Sequence, residues 1–108
     1  MKCLHIQLQS ELCACDVEPI VDELTSIATD AVSDAVVAVE RGDDDGPYIN
    51  INIQTDVVAT LWTSMSAHIS SNPNLASCAI ICCEGDNGWD DYLLLYHYDR
   101  DESLDVLS

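Results

Sequence analysis

The stretch VERGDDDGPYININIQT (residues 39–55) holds an acidic turn between two segments of strand-like sequence. From Ile49 to Gln54, isoleucine alternates with asparagine or glutamine, which gives a strand one apolar face and one polar face. The turn GDDDGP predicts that this strand pairs with a strand at residues 35–41. We therefore expect a sheet that buries one face and leaves the other face polar.

Three further segments predict strands. Residues 3–9 alternate Leu4, Ile6 and Leu8 with polar or small side chains, as residues 48–54 do. Apolar runs predict two more strands, at 77–83 and 91–98, and the first of these is the more apolar and the more central.

Two helices complete the chain. Residues 17–32 carry apolar side chains at helical spacing, with Asp16 as the capping residue and Pro19 in the first turn. The second helix follows a cap at Thr55 or Asp56 and ends at SSNPN, residues 70–74.

The order of these elements predicts the fold class. A β-α-β-β-α-β-β order favours an α+β, two-layer sandwich of the ferredoxin-like kind, with both helices on one face of a mainly antiparallel sheet. Residues 1–98 then form a single domain, and residues 99–108 form an acidic C-terminal tail that is free to fray. The polar residues of the first and third strands, among them His5 and Asn52, are expected on the open face.

The charge is extreme for a chain of this size. Three Lys and Arg against 20 Asp and Glu give a net charge of −17, far beyond the roughly 2–8 units typical of a small soluble domain. Because 48% of the residues are hydrophobic, the sequence favours a folded core under an acidic surface over a disordered chain. Such a surface repels nucleic acid and anionic membranes and attracts basic proteins.

The sequence predicts a cytoplasmic protein with reduced cysteines. No apolar run is long enough to span a membrane, and polar residues interrupt the N-terminal segment where a signal peptide would be apolar. The six cysteines are therefore interpreted as thiols. Cys78 and Cys82 are interpreted as small core residues of one strand.

We expect no enzymatic activity, no bound metal and no cofactor. The chain lacks a nucleophile elbow, a P-loop and a dinucleotide fingerprint. Cys13-x-Cys15 and the adjacent Cys82 and Cys83 do not have zinc-site spacing, and the aspartate turn does not have the spacing of a calcium loop. His5 and His97 share the open face only if the first and fifth strands lie close together.

The predicted topology brings the aspartate turn, residues 10–18 and the acidic tail to one end of the sheet. Trp89 lies in a polar turn at the other end, where it either anchors a partner or folds back over its own hairpin. The predicted partner contacts are Glu11, Asp16, Glu18, Asp43, Asp44, Asp45, Trp89, Asp90, Asp91, Asp99, Asp101 and Glu102.

These features predict an acidic protein that binds and blocks a basic enzyme, such as a toxin acting on nucleic acids or nucleotides, with carboxylates imitating phosphates. In size and charge the chain is similar to small acidic immunity proteins and to phage-encoded anti-defence proteins, although no motif carries that likeness. One alternative is a binding domain from a halophilic organism, whose acidity is an adaptation to salt. Another is a homodimer formed through the open face of the sheet.

Overall fold

The computed structural model describes residues 2–13, 16–43, 46–99 and 101–106. Within these residues the chain forms five strands and three helices, with a 3₁₀ turn at Ser10–Leu12. In chain order the elements are β1 (Lys2–Gln9), α1 (Glu18–Ala31), β2 (Val36–Asp43), β3 (Pro47–Thr55), α2 (Val58–Ser71), α3 (Pro73–Ala76), β4 (Ala79–Gly85) and β5 (Gly88–His97).

All five strands belong to one sheet in the order β2-β3-β1-β4-β5, and every neighbouring pair is antiparallel. β1 is central, and Ile6 lies opposite Ile51 of β3 and Ile81 of β4. The predicted α+β class with an antiparallel sheet is therefore confirmed.

A single core joins the helices to one set of alternating strand residues. Ile6, Ile51 and Ile81 are fully buried, and they share one cluster with Leu24 of α1 and Leu61 of α2. Burying an aliphatic side chain of this size contributes about 1.5–3 kcal/mol relative to leaving it in water. The period-two alternation read from the sequence thus selects the buried face of the sheet.

The predicted capping side chains lie just before the helices and do not cap them, because the N-cap residues of α1 and α2 are Val17 and Val57, which lack a side-chain capping bond. The Glu18 amide donates to Asp16 Oδ1 (3.2 Å), and the Val57 amide donates to Thr55 Oγ1 (3.2 Å). SSNPN ends α2 as predicted, but Asn72 Oδ1 also accepts the amides of two following residues at 3.2 and 3.3 Å. This side chain caps the short helix α3, which the sequence analysis missed.

The interpretation of all six cysteines as thiols is wrong. Cys13 and Cys78 form a disulfide across a sequence separation of 65 residues. The two meet because β1 and β4 are neighbours, so the segment after β1 lies beside the residue that precedes β4. Cys3, Cys82 and Cys83 are free thiols, and Cys15 lies outside the described residues.

The end of the chain also differs from the expectation. β5 begins at Gly88, so Trp89 lies in a strand and the turn before it is only Asp86 and Asn87. The acidic tail returns along the outer edge of β5. Its Asp105 amide donates to the Leu94 carbonyl (2.7 Å), and the Leu94 amide donates to Asp105 Oδ2 (2.8 Å).

No helix in the described part of the chain has the length and apolar character needed to cross a membrane.

Candidate binding groove on the open sheet face

The sheet residues that alternate with the core residues form the open face, and a groove of about 900 Å³ lies on it. Its lining comes from all five strands and from the C-terminal tail. This volume falls within the range of about 300–1,000 Å³ that is typical of ligand pockets. The groove is therefore large enough to hold a ligand.

Apolar and aromatic side chains form much of the groove. Val36, Trp89 and Tyr92 are 55%, 46% and 56% exposed, respectively, and Ile80 and Leu94 also line the groove. Exposed apolar side chains that cluster in one depression are typical of a binding surface. The sheet thus has an apolar cluster on each face, and only one of the two is covered by the chain's own core.

Three carboxylates line the groove without a lysine or an arginine among them. Glu40 comes from β2, Glu84 from β4 and Glu102 from the tail. The cations of the described residues are engaged elsewhere: Lys2 Nζ lies 3.5 Å from an Asp86 oxygen, and Arg41 forms a two-point contact with Glu18. The groove therefore has an anionic lining that these cations do not neutralise.

The aromatic ring of Trp89 reaches across the sheet. It meets the ring of His5 edge-on, with 6.0 Å between centroids and 81° between planes. Because β4 lies between β5 and β1, the indole must cross β4 to make this contact. His5 Nδ1 lies 2.5 Å from Asn52 Oδ1, and the amide oxygen can only accept, so Nδ1 is the donor.

His97 occupies another part of the same groove. Its Nδ1 accepts the amide of Asp99 at 2.9 Å. The structure therefore brings His5 and His97 to one face, as the sequence analysis allowed, with β4 between their strands.

The thiols in the groove are poor nucleophiles. Burial raises the pKa of Cys82 above its ordinary value, and the charge of Asp105 raises it further. Burial likewise raises the pKa of Cys3, with a further contribution from Glu84. A protonated thiol neither attacks an electrophile nor binds a metal well. Within the described ranges, no cluster of three or more His, Cys, Asp or Glu side chains is arranged to hold a metal ion.

Part of the predicted contact set gathers at the β2–β3 end of the sheet. Asp43 ends β2, Glu18 binds Arg41 of β2, and the Glu11 carboxylate faces Gly46, whose φ is +113°. A Cβ atom built on Gly46 would lie 3.1 Å from Glu11 Oε2. Asp44 and Asp45, the centre of the predicted acidic turn, lie outside the described residues.

Other predicted contacts have local structural partners. The Asp16 carboxylate accepts the Glu18 amide, as described above. Asp91 Oδ1 accepts the Asn87 amide (2.9 Å), and Asp99 Oδ1 accepts the Asp101 amide (3.0 Å). The side chains of Asp90 and Asp101 are exposed.

Of the predicted contacts that the structure describes, only Trp89 and Glu102 line the groove. Glu40, Glu84 and Tyr92 also line it but were not among the predicted contacts. The alternation could have placed Glu40 on the open face, since it is two residues from Ala38 in a strand opposite β3. No local pattern places Tyr92 beside Trp89, because residues three apart in a regular strand face opposite sides.

Comparisons of the chain with protein-family models, curated proteins and solved structures found no match.

The side chains of the groove define the class of site. The groove combines an apolar floor, exposed aromatic rings and three carboxylates, so its chemistry suits a cationic group attached to an apolar or planar body. The site is thus best described as an anionic, aromatic binding groove.

Proposed function

We propose that this protein is a non-enzymatic inhibitor that binds a basic enzyme and blocks its substrate cleft. The observation that carries the proposal is the net charge of −17 combined with a groove that has carboxylates and exposed aromatic rings but, among the described residues, no lysine or arginine in its lining. Folding alone gains nothing from this arrangement, since like charges repel. A positively charged partner makes both features favourable.

The proposed target is an enzyme that acts on nucleic acids or nucleotides, such as a toxin or a defence enzyme. A cleft that binds phosphates is positive, and carboxylates on a folded surface can imitate the phosphates. Opposite charges also speed association, by up to about 10³-fold at low salt, which suits an immunity or anti-defence role.

The same proposal includes a ferredoxin-like topology, with both helices on one face of the sheet, and a cytoplasmic location. The strand order β2-β3-β1-β4 with β5 added beside β4 supports a ferredoxin-like classification. The common core of α1, α2 and alternate strand residues supports both helices lying on one face. The proposed cytoplasmic location has less support, because a disulfide such as Cys13–Cys78 is more typical of oxidising compartments.

Affinity capture from the native cell tests the function. The protein is immobilised, bound proteins are eluted with a salt gradient, and the eluate is identified by mass spectrometry and assayed with and without this protein. We expect one stoichiometric basic enzyme that elutes at raised salt and loses activity in the complex. A blank capture with protein that is folded at low salt would reject the inhibitor.

The exposure of Val36, Trp89 and Tyr92 favours a second candidate, a domain from a halophilic organism that dimerises through the open face. At low salt, two copies of charge −17 repel each other. At 1 M salt the screening length falls to about 3 Å, so the apolar contact could then prevail. Sedimentation at 0.05 M and 2 M salt distinguishes the candidates, since an inhibitor remains monomeric in both and this domain dimerises at 2 M.

A further inference from the structure

We propose that the groove binds an extended, arginine-bearing segment of the basic partner, with one guanidinium group held by Trp89, Tyr92 and Glu84. This inference rests on the proposed function and deepens it, because it assigns the partner's contact to the open sheet face. It differs from the sequence-based expectation, in which acidic segments at the ends of the strands carry most of the contact.

An irregularity in β5 builds this part of the groove. Gly85 pairs with Gly88 and Cys83 pairs with Leu93, so residues 89–92 of β5 lie opposite Glu84 alone. The extra residues of this bulge allow Trp89 and Tyr92, three positions apart, to line the same groove. Bulges often redirect side chains at functional sites. The two aromatic rings and the Glu84 carboxylate therefore belong to one local feature.

This combination suits arginine better than lysine. A guanidinium group is planar, so it can stack on an aromatic ring while its edge donates two parallel hydrogen bonds to a carboxylate. An ammonium group has neither the plane nor the fork. Trp89 and Tyr92 remain about half exposed without a ligand, which leaves ring surface for such stacking.

The spread of charge along the groove indicates a segment with more than one basic residue. Glu40 lies on β2 and Glu84 on β4, which are three strand positions apart. With neighbouring strands about 4.8 Å apart, the separation across the sheet alone is about 14 Å, too long for one side chain to bridge. An extended segment rises about 3.3 Å per residue, so about six residues would cross the five strands.

Charge complementarity selects this occupant over a second copy of the chain. The whole sequence contains only three Lys and Arg residues, and Lys2 and Arg41 are already in ion pairs with Asp86 and Glu18. A second copy therefore cannot supply several arginines to the groove. Its net charge would also oppose the approach.

The test uses the folded protein and the synthetic peptide Gly-Arg-Ser-Arg-Gly-Arg, with lysine and glutamate versions as comparison. We expect NMR shift changes at the Trp89 indole and at Tyr92, and weaker binding of the lysine version. Glu84→Gln should weaken the arginine peptide about tenfold, as loss of a charged hydrogen bond does. Trp89→Ala should weaken it about thirtyfold, as loss of an interface anchor does.

Asp30→Asn on α1 is the matched control for the charge change, because Asp30 is exposed and outside the groove lining. It should change the affinity less than twofold. If Trp89→Ala fails to fold, Tyr92→Ala takes its place, because Tyr92 is 56% exposed. Equal losses for Glu84→Gln and Asp30→Asn would overturn the inference, since binding would then follow total charge alone.

The captured partner separates this inference from the proposed function. A partner that binds Glu84→Gln and Trp89→Ala as tightly as the wild type, but loses affinity for Asp43→Asn, would reject the groove and keep the inhibitor. Groove binding of the arginine peptide together with a blank capture would reject the inhibitor and keep an arginine site. Loss of partner affinity in both groove variants, with Asp43→Asn unaffected, would support the inference.

Discussion

The two faces of the sheet are built from neighbouring residues of the same strands and differ in almost every property. Ile6, Ile51 and Ile81 are fully buried in the core, whereas His5, Asn52 and Cys82, each one residue away, line the open groove. In the described part of the chain, the core face is apolar apart from Thr55, which lies at its edge. The open face combines carboxylates, imidazoles and exposed aromatic rings.

The difference shows that alternate residues of the same strands can serve two purposes: one set stabilises the fold and the other is available for binding. Hydrophobic burial requires only apolar volume, so three of the four buried positions of β3 are isoleucines. The open face gains little by folding, since it gathers like charges and leaves Trp89 and Tyr92 about half exposed. Changes on the two faces should therefore separate stability from binding.

The largest expected effect concerns the disulfide at the margin of the core. Opening the Cys13–Cys78 link in Cys13→Ala frees a loop of 65 residues, which in the chain-entropy description costs about 4 kcal/mol of stability. Cys82→Ala, at a free thiol in the groove, is the control and should cost much less. Urea unfolding with and without reductant measures both. Equal losses would show that the link does not stabilise the fold.

A core substitution tests the comparison directly. Ile51→Ala should lower the free energy of unfolding by about 2–5 kcal/mol, because it removes buried methyl groups and leaves a cavity. Gln54→Ala lies on the same strand but lines the groove, and it should stay within about 0.5 kcal/mol of the wild type. Denaturant midpoints measure the difference. Similar losses at the two positions would contradict the division between the faces.

A smaller effect is expected where the core meets a surface carboxylate. The hydroxyl of Thr55, which is fully buried, donates to Asp34 Oδ1 (2.5 Å), and the Asp56 amide donates to Oδ2 (2.9 Å). These bonds hold the pKa of Asp34 below its ordinary value of 3.8. The stability that they contribute is present at neutral pH and is lost as the pH falls below 3.8 through the lowered pKa.

Thermal unfolding of Asp34→Asn between pH 2 and pH 7 measures that contribution. The variant should be less stable than the wild type at pH 7, and the difference should shrink at the acid end. Asp30→Asn, at an exposed position near the end of α1, supplies the control. A difference that does not depend on pH would assign the effect to something other than the ionised Asp34.

The smallest expected change in stability belongs to the groove. Glu40→Gln and Glu84→Gln remove like charges from the open face, so each should leave the stability unchanged or raise it by up to about 0.5 kcal/mol. Any gain should be larger at 10 mM than at 500 mM salt because salt screens repulsion. Urea midpoints at the two salt concentrations measure this. A clear loss of stability would give these carboxylates a structural role.

Local sequence determined the elements and the buried face. The alternation in YININIQ predicts β3 and its apolar side, and the helical spacing of residues 17–32 predicts α1, which the structure bounds at Glu18–Ala31. The charge likewise follows from composition. These predictions succeed because period and composition are properties of neighbouring residues, and burial acts on them in the same way in any fold.

Only the tertiary structure decided which distant residues meet. The Cys13–Cys78 bond requires β4 to lie beside β1, and the groove requires β2, β4 and the tail to place their glutamates on one face. The bulge that brings Trp89 and Tyr92 opposite Glu84 depends on the register between β4 and β5. Strand order and register result from competition among long-range pairings, and for that reason the local pattern identified the strands but not the groove.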